Sequence, residues 1–198
     1  MNGSQTWTTA GGATLTVGGA ISGPYGLTFP GAGTTVLSGT DSYSGGTNIL
    51  AGTLAIGLTN ALPATGTVTI GNSNGVGSGA FRLSSFSQTL TSLTAQSNNT
   101  AGTLDTVNIG SVATLTINGG LTVGLDLSST QGIAITSYMN MSGGGVLDVN
   151  TSSANLVVSL AQSTPLSSGN FATLDLSGLS RFIFGNSPTG TNILGVGY

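Results

Sequence analysis

The chain has 198 residues and only seven charged side chains: Arg82, Arg181, Asp41, Asp105, Asp126, Asp148 and Asp175. Lysine, glutamate, histidine and cysteine are absent, which excludes disulfides, thiolate metal sites, thiol catalysis and histidine-dependent serine triads. Two arginines cannot neutralise a row of phosphates, and no basic cluster exists to hold an anionic membrane surface, so neither nucleic acid nor a lipid headgroup layer is expected as a partner.

The remaining composition is not that of a disordered chain, which needs low hydrophobicity and high net charge. Hydrophobic residues make up 38%, the net charge is −3 and 34 residues are glycine. No run of about 20 apolar residues is present, so no membrane-spanning helix is expected. The opening MNGSQTWTTAGG has neither a basic segment nor an apolar one after it, so it does not read as a signal peptide.

In chain order, short alternating segments follow: ATLTVGG (13–19), TTVLSG (34–39), GTLAIG (52–57), GTVTIG (66–71), ATLTING (113–119), LTVGLDL (121–127) and GVLDVN (145–150). Each alternates apolar with small polar residues and closes on Gly, Asn or Ser, which predicts strands. LTNALPATG (58–66) has room for one helical turn, limited by Pro63. The chain therefore reads as all-β.

Asn-Gly turns, the strongest hairpin signal, are scarce, while the strand motifs recur at similar distances. GTNIL occurs at 46–50 and again at 190–194, predicted to be one strand entering a later coil. Leu-Asp dipeptides recur at 104, 125, 147 and 174. Such recurrence predicts a parallel β-helix, one elongated β-solenoid over 1–198 with about 20–27 residues per coil. In each coil the Leu should point inward and the Asp outward. Val36, Ile49, Leu54 and Ile56 are expected in the inner column, and Gly45-Gly46 at a corner.

Candidate sites are few. Asp105, Asp126, Asp148 and Asp175 would stack as a Ca²⁺ ladder if the coils aligned. The competing reading, each Asp capping its own turn, is the expected one, so no metal or cofactor is assigned. Thr-x-Thr pairs at Thr14/Thr16, Thr67/Thr69, Thr89/Thr91 and Thr114/Thr116 would resemble an ice-binding face if they aligned. The aromatics are scattered and read as core rather than as a glycan-binding strip. Gly75, Gly77 and Gly79 have no following lysine to make a phosphate loop. The missing acids and bases predict a chain that is not an enzyme.

The segment GAGTTVLSGTDSYSGGTNILAGTLAIGLTNALPATGTVTIG (31–71) resembles the autotransporter-associated β-strand repeat, also called the passenger-associated transport repeat. Its signature falls on Asp41, Tyr43, Ser44, Gly45, Gly46 and Thr47, followed by Gly52, Thr53 and Leu54. Asp41 stands where the family most often has Asn, and Pro63-Ala64 replaces its usual Gly. The resemblance implies a right-handed parallel β-helix, secreted or on a bacterial cell surface, as stalk, fibre or adhesin passenger. No polar cap appears at either end and the net charge is only −3, so the expected partners are end-to-end copies or flanking coils of a longer chain, with an unnamed host or surface ligand besides. A membrane barrel has no room here, so either a fragment or a secreted relative without a barrel is expected.

Overall fold

The computed structural model describes residues 1–72, 77–96, 104–125, 136–149, 155–161, 171–185 and 193–196. Among them every regular element is a strand. The first coil holds β1 (Gln5–Thr6), β2 (Thr14–Val17) and β3 (Ser22–Gly23); the second holds β4 (Leu27–Phe29), β5 (Thr34–Leu37) and β6 (Ser42–Tyr43). Then come β7 (Thr47–Ile49), β8 (Gly52–Ile56), β9 (Thr67–Ile70), β10 (Gly79–Ser84), β11 (Gln88–Gln96), β12 (Asp105–Ile109), β13 (Thr114–Leu125), β14 (Thr136–Ser142), β15 (Val146–Val149), β16 (Asn155–Ala161), β17 (Phe171–Asp175), β18 (Arg181–Phe184) and β19 (Ile193–Val196).

Every strand pairing among the described residues is parallel and joins strands of successive coils, as a chain winding always in one direction requires. One sheet runs β1-β4-β7-β9-β11-β13-β15-β18, with β16 and β19 branching from β13; a second runs β17-β14-β12-β10-β8-β5-β2. This is the expected right-handed parallel β-helix, in the hand that parallel crossovers take. The short third face, where β3 pairs β6, continues through main-chain bonds. Ser42 N–H donates to Ile21 O at 2.8 Å, and Asp41 N–H to Ala61 O at 2.9 Å. Further along, β11 and β13 grow long enough to turn this corner themselves, with register shifts between Leu90 and Ser92.

Coil length is not constant. Leu27 pairs with Thr47, a step of 20 residues, and Thr14 with Thr34, also 20. Gly52 pairs with Gly79, a step of 27, and Met139 with Leu174, a step of 35. The expected 20–27 residues per coil therefore holds for the earlier coils and is exceeded in the later ones. Parallel pairing fixes the rise between rungs at about 4.8 Å but leaves the corners free to lengthen.

Side chains alternate between the core and the outside. Thr35, Leu54, Phe81, Val107 and Met141 occupy one inner column, and all are buried. Ile49, Leu54 and Ile56 are inside as expected. Val36 is not: it pairs with Thr16 and Ala55 on the outer side and is half-buried, while Thr35 and Leu37 fill the core. The phase of β5 is set by Leu37, and shifting it by one residue would exchange every side chain. Thr35 is tolerated inside because its Oγ1 lies 2.9 Å from Oγ1 of buried Thr9. The segment 58–66 forms turns and no helix, and its Ala61, Leu62 and Pro63 are buried.

Candidate functional site

The repeat signature forms a corner and the bonds that hold it. Tyr43 is buried, and its hydroxyl lies 2.6 Å from Oγ1 of buried Thr47. Burial holds the Tyr43 phenol above its ordinary value, so it stays a neutral hydrogen-bonding group. Between the two, Ser44 N–H donates to Gly23 O at 3.1 Å, and Gly46 O accepts from Leu27 N–H at 3.0 Å. A side chain on Gly45 would collide with the main chain of Tyr25 and Gly26 in the preceding coil. Gly52 opens β8 at φ +64, and there a Cβ would strike the carbonyl oxygens of Gly31 and Gly33. Thr53 N–H then reaches Gly33 O at 2.9 Å, and Leu54 closes the signature in the core.

Asp41 is 5% exposed and spans three coils. Its Oδ1 accepts from Ile21 N–H at 2.8 Å and its own N–H donates to Ala61 O. Its Oδ2 is buried without a partner. Burial pushes the carboxyl up to about 6, against the lowering pull of the Ile21 N–H. Two turns of the solenoid further on, buried Gln88 does similar work: its Oε1 accepts from Leu62 N–H at 3.1 Å and its Nε2 donates to Leu62 O at 3.0 Å. The side-chain amide thus replaces a main-chain rung beside Pro63. Gln88 carried no warning in the sequence except its inward phase, two residues before Leu90.

The aspartates do not form a column. Asp105 points into the core, 6% exposed, in register with Met139, while Leu104 is outside. This reverses the expected Leu-in, Asp-out phase, because Val107 and Ile109 set the alternation of β12. Oδ1 of Asp105 accepts from Gly79 N–H at 3.0 Å, and burial pushes its carboxyl up to about 7. Asp148 lies on the other large sheet, in register with Thr116 and Ile183. Burial raises its carboxyl and the Arg181 charge opposes that rise. Asp175 faces outward in register with Asn140, and accepts from Tyr138 Oη at 3.1 Å, Asn140 Nδ2 at 3.0 Å and Ser177 N–H at 2.9 Å. Its bonds to Ser177, with help from Tyr138, hold the carboxyl down at about 2. Asp126 lies outside the described residues. Among those described, no three acidic groups converge where a metal ion would sit.

The Thr-x-Thr pairs separate as well. Thr14/Thr16 lie on the second sheet, Thr67/Thr69 on the first, and Thr89 pairs with Thr116 past the corner. A different ladder emerges from the register: Thr6, Thr28, Asn48, Thr69, Thr94 and Thr122 follow one another up the outside of the first sheet. A second, Thr14–Thr34–Thr53–Ala80–Thr106–Asn140–Asp175, climbs the other sheet. Among the described residues the aromatics form no strip. Trp7 meets Phe29 edge-on at 6.0 Å, Phe182 and Phe184 stack at 6.2 Å, and Phe81 is buried.

A corner of this kind, joining successive rungs of a parallel stack, defines a β-solenoid repeat. Residues 31–56, the signature coil, match the model of the passenger-associated-transport-repeat family. The match ends at β8, short of the 31–71 span of the sequence resemblance. No curated protein and no solved structure matches the chain.

Proposed function

We propose that the chain is a non-catalytic structural segment of a secreted or cell-surface protein, a stiff spacer in a stalk, fibre or passenger. The passenger-type repeat at 31–56, wound into a parallel stack with hydroxyl and amide ladders on both large sheets, carries this reading. Uncharged Thr and Asn repeat well at about 4.8 Å spacing, where like charges would repel. The buried carboxylates support the non-enzymatic part. Asp41 and Asp105 lie on different coils, each bonded to main chain, and among the described residues neither faces a second acid across a cleft as glycoside hydrolysis needs. No helix among the described residues is long and apolar enough to cross a membrane.

Stacking against a further coil, from the same polypeptide or a second copy, fits the edge at β2. Leu15 there is 40% exposed although it stands in register with Thr35 of the inner column. Antibody against the chain is expected to label intact producing cells or their culture fluid. Label confined to the cytosol would overturn the export part, and turnover of a polysaccharide by the purified chain would overturn the structural part.

A binding face is the second reading, favoured by the six-rung Thr/Asn column on the first sheet. Thermal hysteresis and glycan-array binding test it, and their absence at high protein concentration rejects it.

A further inference from the structure

The two most buried aspartates have no role in a stalk that any neutral residue could not fill. Asp41 and Asp105 are 5% and 6% exposed, and each takes one main-chain N–H from the preceding coil: Ile21 for Asp41, Gly79 for Asp105. One hydrogen bond does not replace the hydration of an ionised carboxylate. Oδ2 of Asp41 has no partner.

A counter-ion is not at hand either. The chain has no lysine or histidine and two arginines. Arg82 is exposed on β10, on the side opposite the core, and Arg181 acts on Asp148. Around Asp41, the titratable groups on the packed elements are Tyr43, bonded to Thr47, exposed Tyr25 just after β3, and the Met1 α-ammonium, which donates to Ser22 O on β3. Around Asp105 they are Arg82 on β10 and Tyr138 on β14, the latter bonded to outward-facing Asp175. None is a cation directed at a buried carboxyl. Asp175 shows the opposite case: it faces outward and accepts three hydrogen bonds, and it stays charged.

We propose that Asp41 and Asp105 are proton-held latches between coils: each is a neutral acid in the closed stack, and ionisation loosens the coil interface that it spans. The latches belong to the folded stack whatever surface that stack serves. The raised carboxyl values, about 6 and about 7, set the working range. Because both are raised above the ordinary 3.8, their contribution is fully present below that value and is lost as pH rises through 6 to 7. Exposure to mild acid tightens this solenoid, and exposure to a neutral or alkaline medium relaxes it.

Urea unfolding of the whole chain at several pH values between 5 and 8 tests the proposal. The unfolding constant is expected to rise with pH, by up to about tenfold per pH unit for each latch below its folded value. Asp41→Asn and Asp105→Asn keep the Oδ1 acceptor and remove the titration. Each should remove part of the slope, and the double variant should remove most of it, leaving the smaller part due to Asp148. A wild-type constant that is flat or falls with pH overturns the proposal, as does a double variant with the wild-type slope. If either variant fails to fold, carbon NMR titration of the wild-type carboxyls decides. Two buried aspartates titrating near 6 and 7 support the latches, and titration of both near 3.8 overturns them.

Discussion

The Tyr43 hydroxyl and Thr47 Oγ1 lie 2.6 Å apart in the core, joining the two sides of the Gly45-Gly46 corner. Both groups are shut off from water, so each depends on the other. Tyr43→Phe leaves Thr47 Oγ1 unpaired and is expected to cost about 1–3 kcal/mol in urea unfolding. Thr47→Val strands the phenol in the same way. The double variant removes both polar groups, so its cost should fall below the sum of the singles, and simple additivity would show that the bond contributes nothing.

Gly52→Ala places a Cβ against the Gly31 and Gly33 carbonyls at φ +64. It should destabilise the fold by at least about 2 kcal/mol, since left-handed backbone and a main-chain collision add. Gly3→Ala is the control: its Cβ would have nothing within 4 Å, and its thermal midpoint should match wild type.

Leu54 and Phe81 are consecutive in one inner column, and both are fully buried. Leu54→Ala and Phe81→Ala are each expected to cost about 2–5 kcal/mol, with the cavity adding to the lost transfer energy. The two sites touch through one column, so the double variant should depart from additivity by calorimetry.

The outer ladder predicts a response to charge. Thr94→Asp alone, between Thr69 and Thr122, should change stability by no more than about 1 kcal/mol. Thr69→Asp, Thr94→Asp and Thr122→Asp together should cost more than their sum, because three like charges then stand about 4.8 Å apart. Added salt should recover much of the excess, and a salt-independent loss would argue against repulsion.

Asp175 titrates in the opposite sense to the latches. Its carboxyl is held at about 2, below the ordinary 3.8, so its contribution is full above 3.8 and disappears as pH falls through 2. The NMR signals of the Asn140 side-chain amide and the Tyr138 ring should stay constant from pH 7 to about 4 and shift only below about 3. A shift centred near 3.8 would show that the cluster does not hold the charge.

The strands were legible because Thr, Val, Leu and Ile alternate so regularly: TLTV, TTVL and TVTI are strands β2, β5 and β9 as read. Phase was the harder part. In TTVLSG both Val36 and Leu37 are apolar, and only the neighbouring coils decide that Leu37 goes inside. Asp105 followed Val107 and Ile109 inward, against its own polarity, because a strand has two faces and cannot serve one residue separately. Of the second GTNIL, the described Ile193 and Leu194 do return to the first sheet, but in another register. Leu194 stands in the column of Thr47, and Val196 in that of Ile49. The side-chain bonds of Asp41 and Gln88 to Ile21 and Leu62 connect residues 20 and 26 positions apart, and no local pattern announces them.

The lengthening of the coils changes what each residue contributes to reach. A rung adds about 4.8 Å of height however many residues encircle it. Where Leu27 meets Thr47 after 20 residues, the chain advances roughly 0.24 Å per residue; where Met139 meets Leu174 after 35, it advances roughly 0.14 Å. The short coils around the signature corner advance most per residue, and the long ones least. Duplicating a coil like 27–46 would therefore lengthen the stack most for the least sequence.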